Sequence, residues 1–352
     1  MTIAFRDLRR ETAALQVELR ATVDDVLAEA RFVGGDAVAS FEGEFAEYCG
    51  AAHAVGVGSG TDAIAIALRA AGIGAGDEVI TAAYTCVPTV AGIVLAGATP
   101  VLADIDPRTF TLDPKSAAEA DGPRTRALVP VHLYGRRADM QPLLELAWEH
   151  GLRVIEDAAQ AHGAAMVADV AAFSFYPTKN LGALGDAGAV VTSDAAVAAR
   201  ARELREYGRR GDGRSFERSG QSRLDTIQAA LLLAKLPLLD GWNARRIELA
   251  GRYTEALGGG RLEVPSGGRH VYHLYVVRST ERDALGGRLR SRGVETIVHY
   301  PLAVHEHPAW SDLARPGALA ESERAAREVL SLPLYPQLTD DEAGRVIEAV
   351  LG

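Results

Sequence analysis

The sequence predicts an α/β protein with a mostly parallel sheet covered by helices on both faces, followed by a smaller C-terminal α+β domain. Short apolar runs without polar alternation recur between residues 53 and 192, and helix-like segments separate several of them. Strands of this kind are buried on both faces, as parallel strands are. From about residue 240 the pattern changes to isolated strands and helices. We therefore expect a large domain over 1–240 and a small one over 241–352.

The individual elements follow from local signals. Apolar side chains at helical spacing predict a helix from Leu15 to Ala30, ended by Gly34 and Gly35. Strands are predicted at HAVGV, EVIT, TPVLAD, ALVPVHLYG, LRVIEDAA, VAAFSF and GAVVTS. Helices are predicted at DAIAIALRAAG, MQPLLELAWEHG, AAVAARARELREYG and, with an interruption at Pro237, over 225–257. The small domain is predicted to contain strands at HVYHLYVVR and ETIVHYP and helices near 281–292 and 321–330.

Composition narrows the classes of function. The chain has 352 residues, 48% of them hydrophobic and 24% charged, which is typical of a packed globular protein. Its net charge of -10 argues against general attraction to nucleic acid. Cys49 and Cys86 form neither a disulfide framework nor a metal-ligand spacing. The first residues are too charged for a signal peptide, and no stretch approaches the roughly 20 apolar residues of a membrane span. The sequence thus predicts a cytoplasmic protein without nucleic-acid, membrane or metal partners.

Polar residues follow several predicted strands, where ligands collect in open α/β sheets. The turn GVGSGTDAI contains Gly60 and Thr61 at a predicted helix N-terminus, which suits a phosphate group. The alternative is an ordinary glycine turn in which Thr61 caps the helix. Asp157 ends an apolar strand, where a carboxylate needs a cationic or donor partner, although it could also cap a helix. Glu156 is expected to face the opposite side of that strand.

A single lysine stands in the uncharged segment FSFYPTKNLGALGDAG, residues 173 to 188. No acid lies close to Lys179 in the sequence, so it is either a passing surface residue or an amine used in chemistry. A phosphate cradle, a buried carboxylate and a lone lysine together match pyridoxal phosphate, which has a phosphate, a ring nitrogen and an aldehyde that lysine captures. We therefore predict pyridoxal 5'-phosphate as the cofactor.

These residues resemble those of the pyridoxal-phosphate-dependent nucleotide-sugar aminotransferases of the DegT/DnrJ/StrS type. The resemblance runs nearly end to end, through FEGEFAEYCGAAHAVGVGSGTDAI, PVHLYGRRADM, EDAAQAHGA, FSFYPTKNLGALGDAGAV, SRLDTIQAALL and LSLPLYP. It implies an aspartate aminotransferase-like fold (fold type I). It also implies that Lys179 holds the cofactor, Asp157 pairs with its ring nitrogen and Gln160 contacts its phenolic oxygen. Gly60, Thr61 and Ser174 would hold the phosphate.

The resemblance further implies a homodimer with shared active sites, because the segment QSRLD enters the partner subunit's site in this family. Gln221 would contact the phosphate there, and Arg223 would bind a substrate or amino-donor carboxylate, with surface salt bridging as the alternative. His299 and Tyr300, in GVETIVHYPLAVHEHPAW, are candidates for positioning the sugar. Pro301 after them fixes the turn.

Several positions depart from the family pattern. Gln221 stands where the family usually has Asn, and Cys86 stands where an aromatic ring often stacks on the cofactor, with Tyr84 as a nearby substitute. The loop between His162 and Ser174 is several residues shorter, and Ala303 replaces a common proline. We therefore expect altered contacts to the cofactor, the partner subunit and the sugar.

The predicted activity is transfer of an amino group, by resemblance from glutamate, to carbon 3 of a dTDP-linked 6-deoxy-keto-sugar in amino-deoxysugar or antibiotic biosynthesis. A carbon-4 aminotransferase is the first alternative. A pyridoxal-phosphate-dependent sugar dehydratase is another, although dehydratases of the family typically replace the lysine with histidine. The remaining alternatives are a non-catalytic, cofactor-binding regulator and a dehydrogenase, which would need a different glycine spacing.

Overall fold

The computed structural model describes residues 2–164, 166–313 and 316–352. Within them, a seven-stranded sheet has the order β1-β7-β6-β5-β4-β2-β3. A second sheet pairs β8 with β9. The strands are β1 His53–Val57, β2 Glu78–Ala82, β3 Thr99–Ala103, β4 Thr125–Val129, β5 Arg153–Asp157, β6 Val170–Ser174, β7 Gly188–Thr192, β8 Tyr275–Arg278 and β9 Val329–Leu332.

The large sheet is parallel except for β7. Parallel pairs join β3 to β2, β2 to β4, β4 to β5 and β5 to β6. Strand β7 runs antiparallel to both β6 and β1. The prediction of a mostly parallel sheet is therefore confirmed, and all seven apolar runs chosen from the sequence contain its strands.

Helices cover both faces of this sheet. Side chains alternate along β7: Ala189 and Val191 pack into a core with α3 and α9, whereas Val190 packs into the core with α4 and α8 on the other face. The helices are α1 Leu8–Ala14, α2 Gln16–Glu29, α3 Asp36–Cys49, α4 Gly60–Ala70, α5 Val87–Leu95, α6 Pro114–Ala120, α7 Met140–His150, α8 Ala195–Leu204, α9 Thr226–Lys235, α10 Leu239–Leu257, α11 Arg282–Ser291, α12 Ala320–Glu328 and α13 Asp340–Leu351.

The C-terminal part has its own core, built by α10, α11 and α13 against β8 and β9. Ile3, from the start of the chain, is buried in that core. A second core is shared, because Leu274, Val276 and Val329 pack with residues of β2 and β4. The predicted domain boundary at residue 240 falls in the first turn of α10, inside a continuous helix. The division into two domains at this residue remains a prediction.

Two element boundaries differ from the sequence prediction. Helix α2 ends at Glu29 because Ala30 adopts a left-handed conformation with φ of 52°, well before Gly34. The segment ETIVHYP is not a strand; it makes one bridge, from Ile297 to Ser331. The backbone that follows is bound by tyrosine hydroxyls instead of a neighbouring strand: Tyr84 accepts from the N–H of Tyr300.

The segment HVYHLYVVR forms a strand only in its second half. Tyr272 has a φ of 47°, and its N–H donates to the ring of His270 in the same loop. A left-handed residue cannot continue an extended strand, so β8 begins at Tyr275. None of the helices in the described residues is both long and apolar enough to cross a membrane.

Candidate active site

A cavity of about 350 Å³ opens at the carboxyl ends of the parallel strands. Asp157 is the last residue of β5, Ser174 is the last residue of β6, and Thr85 lies shortly after β2. Site residues that were predicted from separate segments of the sequence meet in this cavity. The predicted residues that line the cavity are Gly60, Thr61, Cys86, Asp157, Gln160, Ser174 and Lys179.

The glycine turn places the N-terminus of α4 at one end of this cavity. Ser59 caps the helix by accepting a hydrogen bond from the N–H of Asp62 at 3.1 Å. A Cβ at Gly60 would lie 2.5 Å from the Cβ of Ser174, so only glycine lets the first turn of α4 approach β6 this closely. The helix N-terminus carries free N–H groups and a partial positive charge, which together with Thr61 and Ser174 form an anion site.

Asp157 is buried and its carboxylate is held by two donors. The hydroxyl of Thr89 donates to Oδ2 at 2.8 Å, and the N–H of Ala159 donates to Oδ1 at 3.1 Å. The Thr89 hydroxyl also lies 3.0 Å from that of Thr85, which therefore donates to it. Burial raises the pKa of the Asp157 carboxyl, and these hydrogen bonds with the charge of Lys179 act against that rise. A cationic ligand group would complete the site.

Lys179 is set apart from the other two lysines of the sequence, Lys115 and Lys235. Lys115 is exposed, and Lys235 is buried in an ion pair with Glu11 at 2.9 Å. None of the described residues forms a salt bridge with Lys179, whose side chain lines the cavity. Burial lowers the pKa of its amine. The unprotonated amine, which is the nucleophile, is thereby favoured.

Gln160 links the cavity to the segment with His299 and Tyr300. Its side-chain oxygen accepts from the N–H of Tyr134 at 2.6 Å, and its amide nitrogen donates to the hydroxyl of Tyr300 at 3.0 Å. The Tyr300 hydroxyl also forms a hydrogen bond with the thiol of Cys86. Tyr300 therefore reaches the edge of the cavity through two of its lining residues.

Two buried tyrosines hold the backbone of His299 and Tyr300. The hydroxyl of Tyr84 donates to the carbonyl oxygen of Tyr300 at 3.0 Å, and Tyr134 donates to that of His299. Tyr84 is fully buried in the core and is not among the residues that line the cavity, so it does not replace the missing aromatic ring at Cys86. The aromatic side chain that does line the cavity is Tyr176.

Four predicted residues are not among those that line the cavity in the single chain: Tyr300 lies at its edge, and Gln221, Arg223 and His299 lie outside it. Gln221 is exposed and forms a bridge with Glu206. Arg223 pairs with Glu206 at 3.2 Å, while its Nε is buried without a hydrogen-bond partner among the described residues. The centre of the His299 ring lies 5.5 Å from that of Phe5. Its Nδ1 forms a hydrogen bond with the hydroxyl of Ser331 at 2.9 Å. Burial and the nearby charge of Lys179 lower the pKa of His299 to about 4.

Glu156 faces the opposite side of β5, as expected. It lies 2.6 Å from Nε2 of His132, whose Nδ1 accepts from the N–H of Ala138, so Nε2 carries the proton that is donated. Its other oxygen accepts from the N–H of Val167 at 2.6 Å. Glu156 thus anchors the shortened loop between residues 163 and 172, of which Ala165 lies outside the described residues.

Sequence reasoning missed Thr89 and Tyr176. Thr89 lies on the first turn of α5, the helix that follows β2, and it is buried at 1% exposure. A polar residue one turn into a helix after a parallel strand is the signal that could have found it. Tyr176 lies three residues before Lys179 in a segment already chosen from the sequence, but nothing in the pattern gives the direction of its side chain.

The family is decided by a match over nearly the whole chain. Residues 14–351 match the model of the DegT/DnrJ/EryC1/StrS aminotransferase family. The chain belongs to this family. It is therefore an aminotransferase with the aspartate aminotransferase-like fold, and the family's cofactor is pyridoxal phosphate.

Individual relatives and a solved structure are similar to this chain over nearly its whole length. The chain is 46% identical to a dTDP-3-amino-3,4,6-trideoxy-alpha-D-glucose transaminase from Streptomyces venezuelae, over 99% of this chain and 95% of the relative. It is 42% identical to a Geobacillus stearothermophilus protein called a pleiotropic regulatory protein, over 99% and 98%. The crystal structure of S. venezuelae DesV with a ketimine intermediate superposes with a TM-score of 0.96, covering 99% of this chain and 97% of that one, at 46% identity.

The cavity suits the cofactor of the family. Its anion site at α4 would hold the phosphate, Asp157 would accept a hydrogen bond from the protonated ring nitrogen, and Lys179 would react with the aldehyde. Apolar side chains of Ile64, Pro88 and Val131 line the remaining wall. The donor set, the buried carboxylate and the unpaired amine therefore match the phosphate, ring nitrogen and aldehyde of the cofactor.

Proposed function

We propose that this protein transfers an amino group from glutamate to carbon 3 of a 6-deoxy-keto-sugar carried on thymidine diphosphate. The observation that carries the proposal is the cavity that unites Lys179 and Asp157 with the N-terminus of α4. The similarity to a transaminase named for a 3-amino sugar supports carbon 3 as the position and thymidine diphosphate as the carrier. By the same reasoning the product serves amino-deoxysugar biosynthesis, including that of antibiotics, in the cytoplasm.

Lys179 and Asp157 have separate tasks in this proposal. When bound, the cofactor supplies a carbon that accepts the amino group and a ring that accepts electrons. Asp157, fixed by Thr89 and Ala159, keeps a proton on the ring nitrogen through its negative charge. Lys179 takes up a proton at Nζ and returns it, which requires an amine that is neutral at working pH. Its burial favours that state.

The sugar is positioned from the edge of the cavity where Tyr300 meets Gln160. The Tyr300 hydroxyl is held by Gln160 and Cys86, and its backbone is held by Tyr84, so its place is fixed before substrate binds. His299 is held by Ser331 and Phe5 beside it. We assign the recognition of the sugar to this pair.

A second subunit completes the site in this proposal. Gln221 is exposed and Arg223 is partly exposed on their own chain, and Tyr176, which lines the cavity, is about half exposed at 51%. A homodimer interface over this region would cover these side chains and bring Gln221 to the partner's phosphate site. Arg223, whose Nε lacks a partner among the described residues, would then bind the carboxylate of the amino donor.

The competing functions differ in product. The purified protein is incubated with glutamate and a panel of dTDP-keto-sugars, and the new amine is located by NMR. We expect an amine on carbon 3 and stoichiometric 2-oxoglutarate. An amine on carbon 4, with the 3-keto-sugar inert, would contradict the position; loss of water without amine would indicate a dehydratase. Absence of amino-group exchange with glutamate would indicate a regulator.

A further inference from the structure

Two arginines from distant parts of the sequence, Arg6 and Arg246, carry positive charge in the interior near the lysine segment. Nη2 of Arg6 donates to the carbonyl oxygen of Lys179 at 3.1 Å. Arg246 is 1% exposed and donates to the carbonyl of Leu334 at 3.0 Å. Within the part of the chain that the structure describes, neither arginine forms a salt bridge with a carboxylate. The acid that acts on both arginines is Glu11, which is itself paired with Lys235. A buried guanidinium without a direct carboxylate contact is costly, which points to a role.

Arg6 owes its position to an N-terminal strap, defined as residues 2–7. Ile3 is buried and pairs with the chain around Val294: its N–H donates to the carbonyl of Gly293 at 2.8 Å, and its carbonyl accepts from Glu295 at 3.0 Å. The N–H of Phe5 donates to the Glu295 carboxylate at 3.2 Å. The contacts of the strap with residues 293–295 therefore hold Arg6 in place, and its guanidinium contacts the lysine segment.

The charged and titratable groups that act on the Lys179 amine come from several elements. Asp157 and Cys86 favour the protonated amine, and Asp186 lines the same cavity. Burial lowers the pKa of His162 to about 3, that of His299 to about 4 and that of His273 well below its usual range, so these rings are neutral at neutral pH. Burial raises the pKa of Tyr300 well above its usual range, so its hydroxyl is neutral as well.

Among these groups, Arg6 supplies the permanent positive charge that disfavours a second cation at Nζ. Burial lowers the pKa of Arg6 to about 10, so its guanidinium stays charged at neutral pH. Besides burial, Arg6 and Arg246 both lower the pKa of His273, so the two guanidinium groups act on the same part of the site. The negative charge of Asp157 has the opposite effect on the pKa of the amine. A protonated ring nitrogen bound to Asp157 would neutralise that charge, and the positive charge of Arg6 would then remain.

We propose that Arg6 is a positioning residue that holds the Lys179 segment through its carbonyl and places a permanent positive charge beside the Lys179 amine. The proposal rests on the assignment of Lys179 to the cofactor. It concerns a residue 173 positions away in sequence, in a strap that does not line the cavity.

The test is a pH titration of the visible absorbance of the cofactor-loaded enzyme in three variants. Arg6→Gln removes the charge but keeps a donor, Arg6→Lys keeps the charge, and Arg9→Gln is a control on the exposed face of α1. We expect the titration midpoint of R6Q to rise by about one pH unit, because loss of a nearby cation favours the protonated form. In R6K the midpoint should stay close to the wild-type value because the charge is kept, and R9Q should titrate as the wild type does.

The same direction is expected without the cofactor. Cyanate reacts with the neutral amine, so the rate of Lys179 carbamylation in the cofactor-free chain, followed by peptide mass spectrometry, should fall in R6Q at a given pH. A wild-type midpoint and wild-type carbamylation rate in folded R6Q would overturn the proposal, as would an equal shift in R6K and R6Q. If the visible absorbance of the cofactor-loaded enzyme were the same in Lys179→Ala as in the wild type, the cofactor assignment would be refuted instead. The carbamylation rates are measured without the cofactor, so they would still decide the role of Arg6.

Discussion

Asp157 illustrates, at the scale of single residues, how position and environment together define a role. A strand-terminal aspartate can cap a helix, yet here both oxygens are engaged by Thr89 and Ala159 at the wall of a cavity. Replacing Asp157 by Asn preserves shape but removes the charge that holds a ring proton. We expect turnover to fall on the order of 10²-fold or more. The measurement is kcat with saturating glutamate and keto-sugar.

The control for Asp157→Asn is Asp113→Asn, at the N-cap of α6 far from the cavity. Asn caps helices as well as Asp does, so this variant should keep its turnover. The free energy of unfolding should change by less than about 1 kcal/mol in the control. Near wild-type turnover in a folded Asp157→Asn enzyme would assign that residue to capping alone.

His162 is a buried ring whose two nitrogens lack hydrogen-bond partners among the described residues. It lies among aromatic rings, 5.4 Å from Phe173 and 5.6 Å from Phe175. Burial lowers its pKa to about 3, whereas the unfolded chain has an ordinary histidine. The unfolded state therefore binds the proton first, and the folded state loses stability as pH falls from about 6.5 towards 3.

Replacing His162 by Leu removes this proton-linked loss. Between pH 7 and pH 4 we expect the free energy of unfolding to fall by about 2 to 3 kcal/mol less in the variant than in the wild type. Urea unfolding at several pH values measures the difference. Parallel pH profiles for the two proteins would show that His162 has a hydrogen-bonded, titrating ring in the folded state.

The sequence identified Lys179, Asp157 and Gly60 because each has an unusual chemical setting in its own segment. Lys179 stands without acids, Asp157 ends an apolar strand, and Gly60 opens a helix. Thr89 could not be found in this way, since its role depends on a contact with Asp157, 68 positions away. Arg6 was equally invisible, because its partner is a backbone carbonyl rather than a side chain.

At the scale of elements, the close approach of α4 to β6 shapes the anion site that we propose for the phosphate. A methyl group at Gly60 would overlap the Cβ of Ser174 at 2.5 Å and push the helix N-terminus away. We expect Gly60→Ala to weaken cofactor binding about tenfold or more, which corresponds to about 1.4 kcal/mol. Absorbance titration of the cofactor-free protein measures the dissociation constant.

The control for Gly60→Ala is Gly43→Ala in α3, where a Cβ would meet nothing within 4 Å. An alanine there favours the helix by roughly 0.5 to 1 kcal/mol and should leave cofactor binding unchanged. Equal cofactor affinity in both variants would remove the steric argument for Gly60.

Element type was predictable where apolar runs were short and buried, but pairing direction was not. The GAVVTS run has the composition of its parallel neighbours, yet β7 runs antiparallel because its connection from β6 is a loop rather than a crossover helix. The ETIVHYP prediction failed for a related reason. Its apolar pattern is that of a strand, but Tyr84 and Tyr134, from distant segments, bind the backbone of its last residues.

At the scale of the whole molecule, the proposed dimer predicts complementation between two inactive variants. Lys179→Ala damages the site on its own chain, and Arg223→Ala damages the site of the partner. A mixed dimer then contains one site assembled from two undamaged halves, so about a quarter to a half of wild-type activity per mixed dimer is expected from this arrangement.

Mixing of differently tagged variants, with purification of the doubly tagged dimer, measures this recovery. Each variant alone should be inactive under the same conditions. Doubly tagged dimers without activity would contradict a shared site, and a monomer in solution would contradict the dimer itself.

The most direct test of the central claim uses the small number of lysines in the chain. Borohydride reduction fixes pyridoxal phosphate to the lysine that carries it, and peptide mass spectrometry identifies that residue. Lys115 is exposed and Lys235 is paired with Glu11, so the account predicts the label on the peptide with Lys179 and its loss in Lys179→Ala. Label on Lys115 or Lys235, or a cofactor-loaded enzyme without labelled lysine, would contradict it.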